Sequence, residues 1–162
     1  MVKLLIIYDS ETGNTEKMAS FVAAGAREVK NVDVVVKKVN AAGNEDLLNA
    51  HAIVMGSPTY YGQMSGKLKS LIDASAAIHG KLKGKVGGAF TSSGGTASGA
   101  ETTLLSILNA MLIHGMVIVG RADNKHYGAA AVEEPEDKDI DMCKELGKRI
   151  AELTLKLHGT RS

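Results

Sequence analysis

The 162-residue chain contains no tryptophan, two phenylalanines, four tyrosines, two prolines and one cysteine. With Cys143 alone, no internal disulfide is available, and no second thiol offers metal-ligand spacing. That usage fits a reducing compartment, and the expectation is a cytoplasmic protein. Charge of one sign is also missing: 19 basic and 18 acidic residues leave a formal net charge of +1. So near-neutral a chain has no strong pull towards nucleic acid or an anionic membrane surface. Long apolar runs are absent as well. The stretch from Leu4 to Ile7 after Met1-Val2-Lys3 faintly imitates a signal sequence, but it stops at Tyr8-Asp9. It is too short for a signal core, and no run reaches membrane-span length. His51, His79, His126 and His158 show no metal-ligand spacing, so no metal site is expected.

What is present is regular alternation. Val2–Tyr8 reads as a strand buried on both faces. Further strands are expected at Val32–Val39, Ala52–Met55, Lys85–Phe90 and Met116–Val119. Helical spacing of apolar residues marks 15–29, 44–49, 65–78, 101–113 and 135–157, with Pro135 in the first turn of the last helix. Gly120 to Glu134 reads as irregular. Strict strand–helix alternation implies one α/β domain spanning residues 1–162, with a parallel sheet, right-handed crossovers and helices on both faces. A ligand then belongs at the carboxyl ends of the strands, beside the topological switch point.

The loop after the first strand reads Ser10-Glu11-Thr12-Gly13-Asn14-Thr15. It places hydroxyls and a glycine at a helix N-terminus, where unpaired N–H groups and the helix dipole favour an anion. It lacks the Gly-Lys-Ser/Thr ending of a triphosphate loop and the glycines of a dinucleotide fingerprint. One phosphate is expected, and the competing interpretation is a plain capped helix start. In the loop after the third strand, Pro58-Thr59-Tyr60-Tyr61-Gly62 puts two of the chain's six aromatics side by side. They offer a stacking face for a flat ring, although one of the two could equally anchor the loop. Ser92-Ser93-Gly94-Gly95-Thr96 follows the fourth strand and can bring N–H groups and hydroxyls to the same ligand. His114 ends the fourth helix, where an imidazole suits the dipole.

Ser10-x-Thr12-Gly13-Asn14-Thr15 directly after a first strand resembles the phosphate loop of flavodoxins. Gly56-Ser57-Pro58-Thr59-Tyr60-Tyr61-Gly62-Gln63-Met64, Phe90 to Gly95, and His114 to Val119 together resemble the NAD(P)H:quinone reductases related to tryptophan-repressor-binding protein. The resemblance spans nearly the whole chain. It implies a flavodoxin-like three-layer sandwich with a five-stranded parallel sheet in the order 2-1-3-4-5. It also implies FMN as cofactor, held by the three loops, with His114 near the flavin as a catalytic candidate.

NAD(P)H and a quinone are the implied substrates, with a protein redox partner as the alternative for a flavodoxin-type carrier. A flavin-binding module without turnover is a third class, and a homo-oligomer is left open. Two segments depart from the reductase pattern: His79 to Gly84 is short and has no aromatic, and Arg121 to Glu134 keeps only His126-Tyr127-Gly128-Ala129. No acid falls between Ser57 and Gly66 or between Thr91 and Gly99. The expectation is therefore a flavin that takes two electrons at closely spaced potentials.

Overall fold

A computed structural model describes residues 1–159. In chain order the elements are β1 (Val2–Tyr8), α1 (Asn14–Arg27), β2 (Val32–Lys38), α2 (Asn44–Asn49), β3 (Ala52–Pro58), α3 (Gly66–Ala74), β4 (Val86–Ser93), α4 (Ala100–Ile113), β5 (Val117–Ile118), β6 (Ala129–Val132) and α5 (Asp137–His158). All pairings between these strands are parallel, in the order β2-β1-β3-β4-β5, with β6 also paired to β4. The order is the one that the resemblance to flavodoxins implied.

The uniform apolar run of β1 is explained by its two neighbours. Leu4 and Ile6 pack beneath α1 and α5, against Met18, Val22, Leu146 and Ile150. Leu5 and Ile7 face the other way, towards Leu47 of α2, Leu68 of α3 and Ile107 of α4. The run Leu4–Ile7 is thus buried on one helical layer or the other, and this part of the strand has no solvent face to write in polar residues. α1 and α5 cross so closely that a Cβ on Gly25 would lie 1.9 Å from the Lys144 carbonyl oxygen, and one on Gly147 would lie 1.9 Å from that of Val22.

Several expectations change. The fifth sheet position holds two short strands: β5 pairs with Val86–Gly87, and β6 pairs with Phe90–Ser93. The chain leaves the edge after Ile118 and returns at Gly128, so part of the stretch expected to be irregular is a strand. Gly128 can return there because its φ is +152° and a Cβ would fall 2.1 Å from the Ala89 carbonyl oxygen. The intervening loop is stapled to α5: Lys125 pairs with the buried Asp139 at 2.8 Å, and Arg149 donates to the Gly120 carbonyl at 2.7 Å. These polar staples have no hydrophobic period, which is why alternation alone does not reveal the strand that follows.

The third helix is α-helical only to Ala74 and continues as a 3₁₀ turn over Ser75–Ile78. Pro135 lies outside α5, whose first turn is set by Asp139 accepting from the Glu136 N–H at 3.1 Å. Both β3 and β4 run further than expected, to Pro58 and Ser93, and carry their last polar residues up to the switch point.

Candidate functional site

The carboxyl ends of β1, β3, β4 and β6 surround one cavity of about 250 Å³. Glu11, Thr12, Asn14 and Thr15 line it from the first loop; Pro58, Thr59 and Tyr60 from the second; and Ser92, Ser93 and Gly94 from the third. Glu133, just beyond β6, completes the wall.

The first loop is built around Gly13, the N-cap of α1, at φ +97°, a conformation that costs glycine little. Its N–H donates to Ser10 Oγ at 3.1 Å. Ser10 is thus buried as a brace rather than as cavity lining. No side chain caps α1, so neither Asn14 nor Thr15 plays the N-cap role. The first-turn N–H groups remain directed at the end where the cavity lies, with the positive end of the dipole behind them. Thr15 is buried, and its Oγ1 lies 2.7 Å from Ser92 Oγ, joining the first and third loops.

The second loop is rigid. Thr59 N–H donates to the Ser92 carbonyl at 2.8 Å, Thr91 Oγ1 donates to the Ser57 carbonyl at 2.7 Å, and Ser65 N–H donates to Ser57 Oγ at 2.8 Å. Tyr60 and Gln63 exchange backbone hydrogen bonds, both 3.0 Å, around a turn whose centre is Tyr61 (φ +52°) and Gly62 (φ +72°). Positive φ at both centres is the primed type I geometry. That turn divides the tyrosine pair. Tyr60 borders the cavity, while Tyr61 is fully exposed and does not line it. Gly62 packs against Thr102 at the start of α4 and likewise stays outside. In the third loop, Gly95 and Thr96 lie beyond the lining.

His114 is placed elsewhere. It caps the far end of α4, a helix of 14 residues, which at 1.5 Å per residue separates it from the third loop by about 20 Å. Its Nε2 lies 2.7 Å from Ser75 Oγ, and its ring is tilted against His79 at 5.6 Å. Burial, aided by the neighbouring His79, pushes its pKa below the ordinary histidine value. Within this chain His114 does not reach the cavity, and its geometry is that of the helix terminus, the other of the two roles the sequence offered.

The electrostatics also differ from what the loop sequences suggest. Asp9 is 1% exposed, and its Oδ1 has no hydrogen-bond partner. Glu11 is paired with Lys67 from the first turn of α3, which lowers the Glu11 pKa and raises that of Lys67. Burial, together with Glu11 and Asp9, raises the Tyr60 pKa, so its hydroxyl stays protonated and able to donate. The second and third loops bring no acid, but Glu133 does. Glu133 is not evident from the sequence, because residues 120–134 show no strand or helix period. The signal was available in the small apolar run Ala129–Val132 ending at Glu133, a strand bounded by a charged pair. Among the described residues no lysine or arginine lines the cavity, and no cluster of histidine, cysteine or acid side chains is arranged for a metal. No helix among them is long and apolar enough to cross a membrane.

The geometry fits FMN. An uncapped helix N-terminus provides a seat for one phosphate, and a slot between Tyr60 and Ser92–Gly94 adjoins it. Known proteins agree. The pattern of the NADPH-dependent FMN reductase family matches residues 2–126. A flavodoxin of Aquifex aeolicus is 40% identical over 160 residues, covering 94% of this chain and 86% of that protein. An NAD(P)H dehydrogenase (quinone) of Archaeoglobus fulgidus is 38% identical over 191 residues, covering 97% of this chain and 100% of that one. Because that alignment is longer than this chain, the dehydrogenase carries segments absent here. Among solved structures, a flavodoxin, WrbA-like protein from Agrobacterium tumefaciens superposes with a TM-score of 0.82 at 28% identity, covering 97% of this chain and 99% of that one. With the sheet order, the three-loop cavity and these matches together, the chain belongs to the NADPH-dependent FMN reductase family and has the flavodoxin-like fold.

Proposed function

We propose that the protein is an FMN-dependent oxidoreductase that passes electrons in pairs from NAD(P)H to a quinone. The cofactor is FMN. The observation that carries this assignment is the merging of two features in one cavity: the uncapped start of α1 and the slot bordered by Tyr60 and Ser92–Gly94. Thr12, Asn14, Thr15 and the first-turn N–H groups of α1 would hold the phosphate, with Ser10 and Gly13 shaping the loop beneath. Pro58, Thr59 and Tyr60 would border one side of the ring, and Ser92, Ser93 and Gly94 the other. Gly95 and Thr96 would support that third loop, and Gly62 would fix the turn that aims Tyr60. When bound, FMN supplies reversible electron uptake; the side chains here bind it, orient it and set its electrostatic surroundings.

Charge balance supports paired transfer. Lys67 neutralises Glu11, and no acid comes from the second or third loop, so among the described residues Glu133 is the one unpaired carboxylate lining the cavity. Tyr61, exposed at the tip of a rigid turn, is placed to meet an incoming substrate rather than to line the cofactor slot. A second reading, a flavodoxin-type carrier served by a reductase protein, is favoured by one observation: the flavodoxin relative aligns without the extra segments that the dehydrogenase carries. Work in the cytoplasm suits either reading, as does the buried Cys143 thiol, whose pKa burial pushes up to about 12.

The test is steady-state turnover of the FMN-loaded protein with NADH or NADPH and a benzoquinone acceptor. Turnover without added protein is expected. Reduction that occurs only when a reductase protein is added would overturn the enzyme reading in favour of the carrier.

A further inference from the structure

We propose that β2, a free edge of the sheet, pairs antiparallel with β2 of a second copy, so that the protein forms a twofold dimer with one continuous sheet.

β2 stands at the end of the strand order and pairs with β1 alone among the described strands. The Val2 N–H donates to the Asn31 carbonyl at 3.0 Å, and Val2 is in register with Val32. In a parallel ladder this turns the N–H and C=O groups of Asn31, Asp33, Val35 and Lys37 towards β1, and those of Val32, Val34, Val36 and Lys38 outwards. Proteins commonly blunt such an edge with a proline or a bulge. β2 has neither: its register against β1 runs unbroken from Val32 to Lys38, and the strand contains no proline. Its valines are only half-buried.

The strand sequence Val-Asp-Val-Val-Val-Lys-Lys selects the partner. Turned antiparallel about Val35, the outward-facing residues form the pairs Val32–Lys38 and Val34–Val36, and each pair exchanges two hydrogen bonds. Between them, Asp33 meets Lys37 of the second copy and Val35 meets its own twin. These are the non-hydrogen-bonded positions, where facing side chains stand closest. The twofold repeats each contact, so an Asp–Lys pair flanks the valine centre on both sides. A shift of two residues either way sets both Asp33 and Lys37 against uncharged residues. A shift of one brings outward-facing groups against inward-facing ones. Lys37 also holds Asp46 of α2 at 2.7 Å, and an ammonium with three donors can keep that bond while meeting Asp33. Because the same edge is used by both copies, the pairing closes as a dimer and does not propagate into a fibre.

The test is sedimentation of the full chain from submicromolar to high micromolar concentration, with variants beside wild type. Wild type should reach a dimer that added salt weakens. Asp33→Lys sets lysine against Lys37 at both ends, and it should raise the dimer dissociation constant by about tenfold or more. Asp33 is exposed, and thermal unfolding checks that this variant folds. Val35→Cys brings two thiols face to face with Cα atoms about 4.5 Å apart, so the oxidant diamide should link the copies. Val34→Cys places its twins more than about 7 Å apart and should not link. The native Cys143 is buried and takes no part. Wild type that stays monomeric at every concentration would overturn the proposal. So would a dimer that Asp33→Lys leaves intact, a Val35→Cys protein that diamide fails to link, or equal linking of both cysteine variants.

Discussion

Replacing Thr15 by Val removes a hydroxyl from a site where it has two tasks. Thr15 is 1% exposed, and its Oγ1 lies 2.7 Å from the hydroxyl of Ser92, itself 7% exposed. In the flavin-free protein one hydroxyl donates to the other. Thr15→Val leaves the Ser92 hydroxyl without that partner, at a cost of about 1–3 kcal/mol in stability. With FMN bound, Ser92 can donate to Thr15 while Thr15 donates its own proton to the phosphate. Losing a hydrogen bond to a charged group costs about 1.5–3 kcal/mol, roughly tenfold to a hundredfold in affinity. Thr12 is exposed and makes no side-chain hydrogen bond within the protein, so Thr12→Ala touches only the second task. Urea unfolding of the apoproteins reads the first effect, and fluorescence titration with FMN and riboflavin reads the second. Thr12→Ala should leave stability within about 0.5 kcal/mol of wild type and weaken FMN but not riboflavin. Thr15→Val should lower both stability and FMN affinity. Equal losses of FMN and riboflavin in Thr12→Ala would refute the phosphate seat, and unchanged stability in Thr15→Val would refute the role given to the buried hydroxyl pair.

Gly147→Ala should lower stability by about 3 kcal/mol or more, because its Cβ would meet the backbone of α1 at 1.9 Å and the helices must part; Gly43→Ala, with open space around it, should be near neutral in the same urea experiment. Tyr60→Ala should weaken all flavins, whereas Tyr61→Asn should spare flavin binding and raise the melting temperature by relieving the positive φ of an exposed side chain. Burial holds both His114 and His51 below the ordinary histidine range, with His79 and His158 adding to it respectively. The unfolded chain therefore takes up more protons as pH falls through about 6.5; stability is full above that value and declines below it. His114→Gln should flatten that decline in urea midpoints measured from pH 8 to 5 without changing quinone turnover, and a loss of turnover with FMN still bound would return His114 to the catalytic site.

Both helical layers were legible because β1 and β3 are almost wholly apolar and the helices repeat their apolar positions every three or four, whereas the sheet order followed from the resemblance of the loops to those of flavodoxins. The phosphate loop was legible from Ser10 to Thr15 because its chemistry is local: a strand end, a glycine at positive φ and a helix start. What remained hidden depends on contacts distant in sequence. Tyr60 and Tyr61 are equivalent by composition, and only the turn pinned against Thr102 sends one inward and one out. Glu133 reaches the cavity because β6 rejoins β4 after a loop held by Lys125–Asp139, a pairing 14 residues apart that no periodicity reports. His114 is adjacent in sequence to β5 yet stands at the opposite end of α4 from the loops, because a helix of that length crosses the molecule.

The account's central claim is a flavin held in a pocket that supports paired electron transfer from a nicotinamide. It is tested most directly by anaerobic mixing of the FMN-loaded protein with NADH or NADPH while the visible flavin spectrum is recorded. The account predicts bleaching of the oxidised flavin to the fully reduced form in one phase, with little one-electron-reduced flavin along the way, and recovery of the oxidised spectrum when a quinone is added. A flavin that neither nucleotide bleaches, and that dithionite converts first to a long-lived one-electron-reduced form, would contradict it.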